Sequence, residues 1–314
     1  MITVVGSLNM DLVASVPRFP VVGETLAATG FTTACGGKGA NQAVAAARLG
    51  SIPVTMLGAV GRDSFGAELI EALNRARVGC GELCIREAVR TGTAIILIEP
   101  DGRNQIVVNS GANGTLSPSD IRGRAHLLGS SRAVIAQLEI PLETVRAVFE
   151  CCRADGRLTV FNPAPAQPLD EPLLARCDWL IVNEREAETI AGVVVDSPET
   201  AGIAAARIRE RSPDTSVAVT LGPAGVWVDS GELRFHQQGF AVEAVDTVGA
   251  GDTFVGAFTT ELVGTGGDIR RSAKFASAAA ALSVTRRGAL ASIPDRSEVE
   301  AFLRSIGAVQ NPSR

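Results

Sequence analysis

Residues 133–183 read AVIAQLEIPLETVRAVFECCRADGRLTVFNPAPAQPLDEPLLARCDWLIVN, and this stretch decides the fold. AVIAQLE (133–139) is a short apolar run suited to a strand buried on both faces. PLETVRAVFECCRA (141–154) reads as a helix. LTVFNP (158–163) and WLIVNE (179–184) read as two further strands, with a short helix between them. Downstream, the helix ETAGIAAARIRER (199–211) leads to the strand SVAVTLG (216–222). A β-rich piece follows around 225–243, then two long helices at about 250–264 and 268–284. A last helix is expected at about 295–306, with a polar, frayed tail from Gly307.

Upstream, ITVVGS (2–7) and PVTMLGAV (53–60) read as strands. The alanine-rich run ANQAVAAARLG (40–50) reads as a helix that stops at Gly50. Asp63 or Ser64 caps another helix, to about Arg77. Ser117-Pro118-Ser119-Asp120 opens a further one, with Ser at the cap and Pro in the first turn. Strands alternating with helices predict an α/β fold: a central, mostly parallel sheet with helices on both faces.

Two pieces break the alternation. Segments near 10–16 and 25–35 flank the Pro/Gly turn RFPVVGE (18–24). TAIILIEP (93–100) and NQIVVNS (104–110) flank Asp101-Gly102-Arg103, a hairpin signal. They predict a small β lid formed by 10–35 and 91–110. Residues 1–9, 36–90 and 111–314 then form one large α/β domain for nucleotide and substrate.

Composition narrows the function. The 314 residues are 46% hydrophobic and 20% charged, as in a globular protein. Lys plus Arg number 29 and Asp plus Glu 34, a net charge of −5. That balance disfavours nucleic acid and a polybasic membrane anchor. With no Tyr, 2 Trp and 11 Phe, a base-stacking platform is hard to build. The first residues lack a cationic stretch, and no apolar run reaches about 18 residues, so neither a signal peptide nor a membrane span is expected. A cytoplasmic location follows as an expectation. His126 and His236 lie in no ligand-like spacing. Cys35, Cys80, Cys84, Cys151, Cys152 and Cys177 are expected to be reduced thiols, and the Cys80/Cys84 spacing has no second pair to complete a zinc site.

In an open α/β sheet, ligands gather beyond the carboxyl ends of the strands. Four polar groups follow predicted strands there: Asn9 with Asp11, Gln137-Leu138-Glu139, Asn183 to Glu186, and Thr220-Leu221-Gly222. The strongest local signal is Asp246-Thr247-Val248-Gly249-Ala250-Gly251-Asp252-Thr253-Phe254, ahead of the apolar helix VGAFTTELV. A glycine-rich turn opening a helix offers free N–H groups and the positive end of the helix dipole to a phosphate. Asp252, in the first turn, could accept a proton from an attacking hydroxyl. The same residues also suit a plain N-cap with tightly packed glycines. A P-loop is absent, and Gly37-Lys38-Gly39 continues to Gln42 where a dinucleotide fingerprint needs Gly. Gly36-Gly37-Lys38-Gly39-Ala40-Asn41 is a second glycine-rich helix entry. With Asn9 and Asp11 it suits a polyol.

Taken together, the chain resembles the ribokinase and PfkB family of carbohydrate kinases over essentially its whole length. GGKGANQAVAAARLG (36–50) is similar to the family's N-terminal motif and DTVGAGDTFVGAF (246–258) to its C-terminal motif. GSLNMD (6–11), GAN (111–113), QLE (137–139), NPAPA (162–166), VNEREAE (182–188), VTLGPAG (219–225) and SVTRRGALASIP (283–294) extend the likeness.

The resemblance implies ATP-dependent phosphorylation of ribose at its 5-hydroxyl. The rivals are another sugar such as 2-deoxyribose or fructose, a nucleoside, and a non-catalytic sugar-binding relative. Asp252 would be the catalytic base and Gly249, Ala250 and Gly251 the anion hole. Asn9, Asp11, Gly37, Lys38, Gly39, Ala40, Asn41, Glu139 and Asp252 would bind the sugar. Asn183, Thr220, Leu221, Gly222, Pro223, Ala224, Gly225, Gly251, Asp252 and Ser277 would meet the nucleotide. Asn183 and Glu186 form the motif linked to Mg²⁺ and phosphate. K⁺ would be held, mainly by backbone carbonyls, at Asp246, Val248, Ser283, Arg286, Gly288 and Ser292. Ser277 departs from the Asn or His common in relatives near the adenine. A homodimer joined through the lids is expected.

Overall fold

A computed structural model describes residues 1–153 and 157–310. Among these residues the strands are β1 (Ile2–Val5), β2 (Asn9–Ser15), β3 (Gly30–Gly36), β4 (Val54–Leu57), β5 (Ala59–Gly61), β6 (Val78–Gly79), β7 (Cys84–Arg86), β8 (Gly92–Ile98), β9 (Asn104–Asn109), β10 (Ala133–Gln137), β11 (Leu158–Asn162), β12 (Trp179–Asn183), β13 (Ser216–Thr220), β14 (Gly225–Asp229) and β15 (Arg234–Gln238). Nine of them make one sheet in the order β15-β14-β13-β12-β11-β10-β1-β4-β6. It is parallel from β13 to β6, with β14 and β15 antiparallel at one edge.

The apolar runs are nearly continuous because both faces of this sheet are covered. Successive residues point to opposite faces, so each strand feeds two cores. Ile2 and Val4 join Ile135, Ile181 and Ala218 on one side, under the helices Lys38–Leu49, Ala250–Thr265 and Ile269–Ser283. Val5 joins Val134, Ala136, Leu180, Val182, Val217 and Val219 on the other, under Leu142–Arg153, Glu184–Ala191 and Pro198–Arg211. The mostly parallel α/β architecture expected from the alternation is therefore present.

On the first side, one close approach shapes the site. A Cβ on Gly256 would stand 2.5 Å from the Ala45 Cβ and 2.7 Å from the Gln42 carbonyl oxygen. Only a glycine lets the helices 38–49 and 250–265 meet at this distance.

The four strands outside the alternation form their own sheet, in the order β3-β2-β8-β9. β2 pairs antiparallel with β3 and parallel with β8, and β9 is antiparallel to β8. It grows out of the main body directly: Asn9, at its inner end, is four residues past β1.

Three expectations need correction. PVTMLGAV is not one strand, because the chain leaves the large sheet at Gly58 and β5 pairs with β7. WLIVNE ends as a strand at Asn183, whose side chain caps a new helix, Glu184–Ala191. The last helix continues past Gly307 to Gln310.

Candidate active site

Asp252 lies in the first turn of the helix 250–265 and is 7% exposed. Its N-cap, Gly249, has φ +79°, a left-handed turn that favours glycine. Both carboxylate oxygens are held from the facing helix: Asn41 Nδ2 donates to Oδ2 at 2.9 Å, and Gln42 Nε2 donates to Oδ1 at 2.9 Å. The close approach at Gly256, one turn further along, makes these contacts possible. A helix N-terminus leaves amides without intrahelical partners. Beside them, the space where a Gly251 Cβ would stand is open, with no atom within 4 Å. Of the three expected anion-hole residues, Ala250 already donates its N–H to Thr247 O, at 3.3 Å.

The cleft in front of Asp252 has a volume of about 180 Å³. Lys38, Asn183, Glu186, Thr220, Gly249 and Gly251, all expected in the site, line it together with Asp252. So do Asn162, Ala164, Ile181, Val182 and Val255. Asn183 and Glu186 form a capping box: Asn183 Oδ1 accepts from the Glu186 N–H, and Glu186 Oε2 accepts from the Asn183 N–H, both at 2.9 Å. Asn183 Nδ2 also donates to Glu186 Oε1 at 3.0 Å. Glu186 thus serves its helix and also faces the cleft.

A polar cluster, joined to the cleft through Lys38, is built by the ends of β1, β2 and β10. Glu139 Oε2 accepts from Ser7 Oγ at 2.5 Å, from the Lys38 N–H at 3.1 Å and from Asn9 Nδ2 at 3.3 Å. Asn9 Oδ1 accepts from Asn113 Nδ2 at 2.7 Å. Asn41 Oδ1 is buried and has no hydrogen-bond partner. Asp11 lies over Gly36, where a Cβ would come within 2.5 Å of Oδ2. A Cβ on Gly37 would stand 2.7 Å from the Asn9 backbone nitrogen.

Charge is crowded here. Burial, then the charges of Glu139 and Asp252, push the Asp11 carboxyl up to about 7. Burial works against the Lys38 ammonium, but Asp252, Glu139 and Glu186 outweigh it and hold its pKa above the ordinary lysine value. Burial likewise raises Glu186, against its hydrogen bond from the Asn183 backbone and the nearby charge of Lys38. Lys38, expected among the sugar ligands, thus lines the cleft and also belongs to the Glu139 cluster, through its N–H and through the charge of its ammonium.

The other expected residues divide. Thr220 Oγ1 donates to Val182 O at 3.2 Å, while Gly222, Pro223 and Ala224 form an exposed turn. Leu221 packs into the core, which leaves only its backbone for a nucleotide. Gly225, at φ +101°, starts β14. Ser277 is buried on the helix 269–283, and its Oγ has no hydrogen-bond partner.

Asp246 ties two segments together, accepting from the N–H of Val248 at 3.0 Å and of Gly288 at 2.8 Å. Val284 O accepts from Val245 and Asp246, and a Cβ on Gly249 would lie 3.1 Å from the Ala289 Cα. The loops expected to hold K⁺ therefore meet beside the start of the helix 250–265. Ser283 and Ser292 spend their hydroxyls within their own turns, and Arg286 pairs with Glu298. These side chains thus already have partners, and the carbonyls remain.

Sequence reasoning missed Gln42, Asn162 and Ser7. The available signal was a glutamine inside an alanine-rich helix, where a buried amide requires a partner.

Residues 1–296 match the family model described as pfkB family carbohydrate kinase. The chain is 41% identical to ribokinase of Haemophilus influenzae over 303 residues, covering 96% of this chain and 98% of that one. It is 37% identical to deoxyribokinase of Salmonella typhi, also over 303 residues, 96% of this chain and 98% of that one. The structure of Arabidopsis thaliana ribokinase complexed with ribose and ATP superposes with a TM-score of 0.88 at 31% identity, covering 96% and 98% of the two chains. The chain belongs to the pfkB family of carbohydrate kinases.

Proposed function

We propose that this kinase transfers the γ-phosphoryl group of ATP to the 5-hydroxyl of D-ribose, giving ribose 5-phosphate and ADP. The observation that carries the reading is the position of Asp252: a buried carboxylate at a helix N-terminus, lining a cleft suited to phosphates and held by Asn41 near a polar cluster suited to a polyol. The likeness to ribokinases, one of them solved with ribose and ATP, supports it.

Asp252 accepts the proton of the 5-hydroxyl as its oxygen attacks the γ-phosphorus. The new O–P bond forms as the bond to the bridging oxygen breaks, and ADP leaves with that electron pair. The amides of Gly249, Gly251 and Asp252 and the Lys38 ammonium face the charge on the transferring group. Asn9, Asp11, Asn41 and Glu139 hold the sugar, with the unpartnered Asn41 Oδ1 as an acceptor for one of its hydroxyls. Asn183, Thr220, the turn 222–225 and Ser277 line the path of the nucleotide. Glu186 and Asn183 offer oxygen donors suited to Mg²⁺, which neutralises phosphate charge when bound with ATP. The loops joined by Asp246 offer carbonyls to K⁺.

The sheet β3-β2-β8-β9 acts as a lid that keeps water from the reaction. Its face with Asp11 also carries Ile106 and Val108, which are 53% and 49% exposed. Its other face carries Phe31, Ile95 and Val107, which are also exposed. Apolar surface on both faces supports a homodimer joined lid to lid, and light scattering giving a monomer at micromolar concentration would rule it out.

2-Deoxyribose is the second reading, on the likeness to deoxyribokinase. The buried Asn9–Glu139 cluster favours ribose, because a missing hydroxyl leaves buried polar groups unpaired. The test of the mechanism is Asp252→Asn, which keeps shape and removes the proton acceptor. A loss of turnover of roughly 10²–10⁴-fold with sugar binding retained is expected. Wild-type turnover would sink the assignment.

A further inference from the structure

Gln42 is fully buried, lies beside Asp252, and is the hub of a chain of amides that joins four elements. The chain begins at Asn162, whose Nδ2 donates to the backbone carbonyl of Ile181 at 2.9 Å. A carbonyl can only accept, so this bond fixes which end of the Asn162 amide faces Ile181. Asn162 therefore presents its oxygen to Gln42, and Gln42 Nε2 donates to it at 3.0 Å. The second N–H of the same nitrogen goes to Asp252 Oδ1 at 2.9 Å. The Gln42 oxygen is left facing Gln137, also fully buried, and accepts from its Nε2 at 2.6 Å.

Each amide orientation is thus dictated by its neighbour, back to the Ile181 carbonyl. Rotating the Gln42 amide would set its oxygen against the Asn162 oxygen and the Asp252 carboxylate together. Two acceptors for two N–H groups leave Gln42 one orientation. Asp252 in turn can rotate only by breaking a bond to the fully buried Gln42, where unmade hydrogen bonds are costly.

We propose that Gln42 is a positioning residue for Asp252: the amide chain Ile181–Asn162–Gln42–Gln137 fixes the plane of the carboxylate so that one lone pair stays aimed at the sugar hydroxyl. An amide also holds no exchangeable charge, so it can orient the base without competing for the proton. This inference rests on the reading of Asp252 as the base.

The test is steady-state kinetics of the full-length protein with ATP and ribose for Gln42→Met, Asp252→Asn and the double variant, with thermal melting of each. Gln42→Met keeps length and removes the donor. We expect its kcat to fall about 10- to 100-fold, the worth of one hydrogen bond to a charged group. The ribose KM should stay within about twofold, because ground-state binding is untouched. With the base already absent in Asp252→Asn, adding Gln42→Met should change kcat by less than about twofold. An unchanged kcat in a natively melting Gln42→Met, or an equal loss in both backgrounds, overturns the proposal. Should Gln42→Met not fold, Gln137→Met removes the amide that anchors Gln42 without touching Asp252. A kcat loss that disappears in Asp252→Asn supports the proposal there too, and no loss, or an equal loss in both, overturns it. Full activity in Asp252→Asn alone would instead overturn the assignment of the base.

Discussion

Asn41 Nδ2 and Asp252 Oδ2 are 2.9 Å apart in space and 211 positions apart in sequence. The contact joins the two glycine-rich helix entries of the chain, one at 36–41 and one at 246–252. It makes a single site of them: the first entry brings the polar cluster of Asn9 and Glu139, and the second brings the turn proposed to face the phosphate. Two glycines of the second helix serve that site in opposite ways.

Gly251→Ala puts a methyl group into open space, whereas Gly256→Ala drives one into Ala45 and Gln42. The first should fold with unchanged or slightly raised stability, by about 0.5–1 kcal/mol at most, since Ala favours helix over Gly. Its methyl stands in the cleft proposed for the phosphoryl group, so activity should be largely lost. The second should lose about 1–3 kcal/mol from overpacking. Thermal melts with a turnover assay separate the two, and an active Gly251→Ala would contradict the phosphate site.

Asp11 gives a pH signature. Its carboxyl titrates at about 7 in the folded protein against 3.8 for an ordinary Asp. Between these values the folded state keeps a proton that the unfolded state has released. The stability from Asp11 is therefore complete at low pH and is lost as pH rises through about 7. Asp11→Asn removes the charge and should raise the melting temperature of the ligand-free protein at pH 8, on the order of 2–5 °C. At pH 4.5, near the lower end of this window, the gain should shrink to a small fraction of its value at pH 8. A larger gain at the acidic pH would contradict the burial of Asp11.

The proposed K⁺ site predicts a response to cation identity. Replacing a bulky organic cation by K⁺ at equal ionic strength should raise activity. Asp246→Ala, which releases both Val248 and Gly288, should abolish that response. A flat K⁺ titration of cation-free wild-type enzyme would count against the site.

Much of this was legible in the sequence, for physical reasons. Strands such as AVIA and WLIV show as continuous apolar runs because two cores claim them from both sides. Asp252 and Gly249 were legible because a helix start needs those residue types locally. The helix Glu184–Ala191 was hidden, because its cap, Asn183 with Glu186, reads equally as a ligand motif. The split at Gly58 was hidden because it depends on β5 finding β7, not on local preference. Gln42 was hidden because its three partners, Gln137, Asn162 and Asp252, come from distant elements.

Ribose as phosphoryl acceptor is decided by kcat/KM for D-ribose, 2-deoxyribose, fructose and adenosine with ATP under one set of conditions, the product being identified by mass and position of phosphorylation. Ribose 5-phosphate is the expected product, with a preference for ribose over 2-deoxyribose of more than about tenfold, the cost of leaving a buried polar group unpaired. A higher value for any of the other three, or phosphate on a different hydroxyl of ribose, would contradict it.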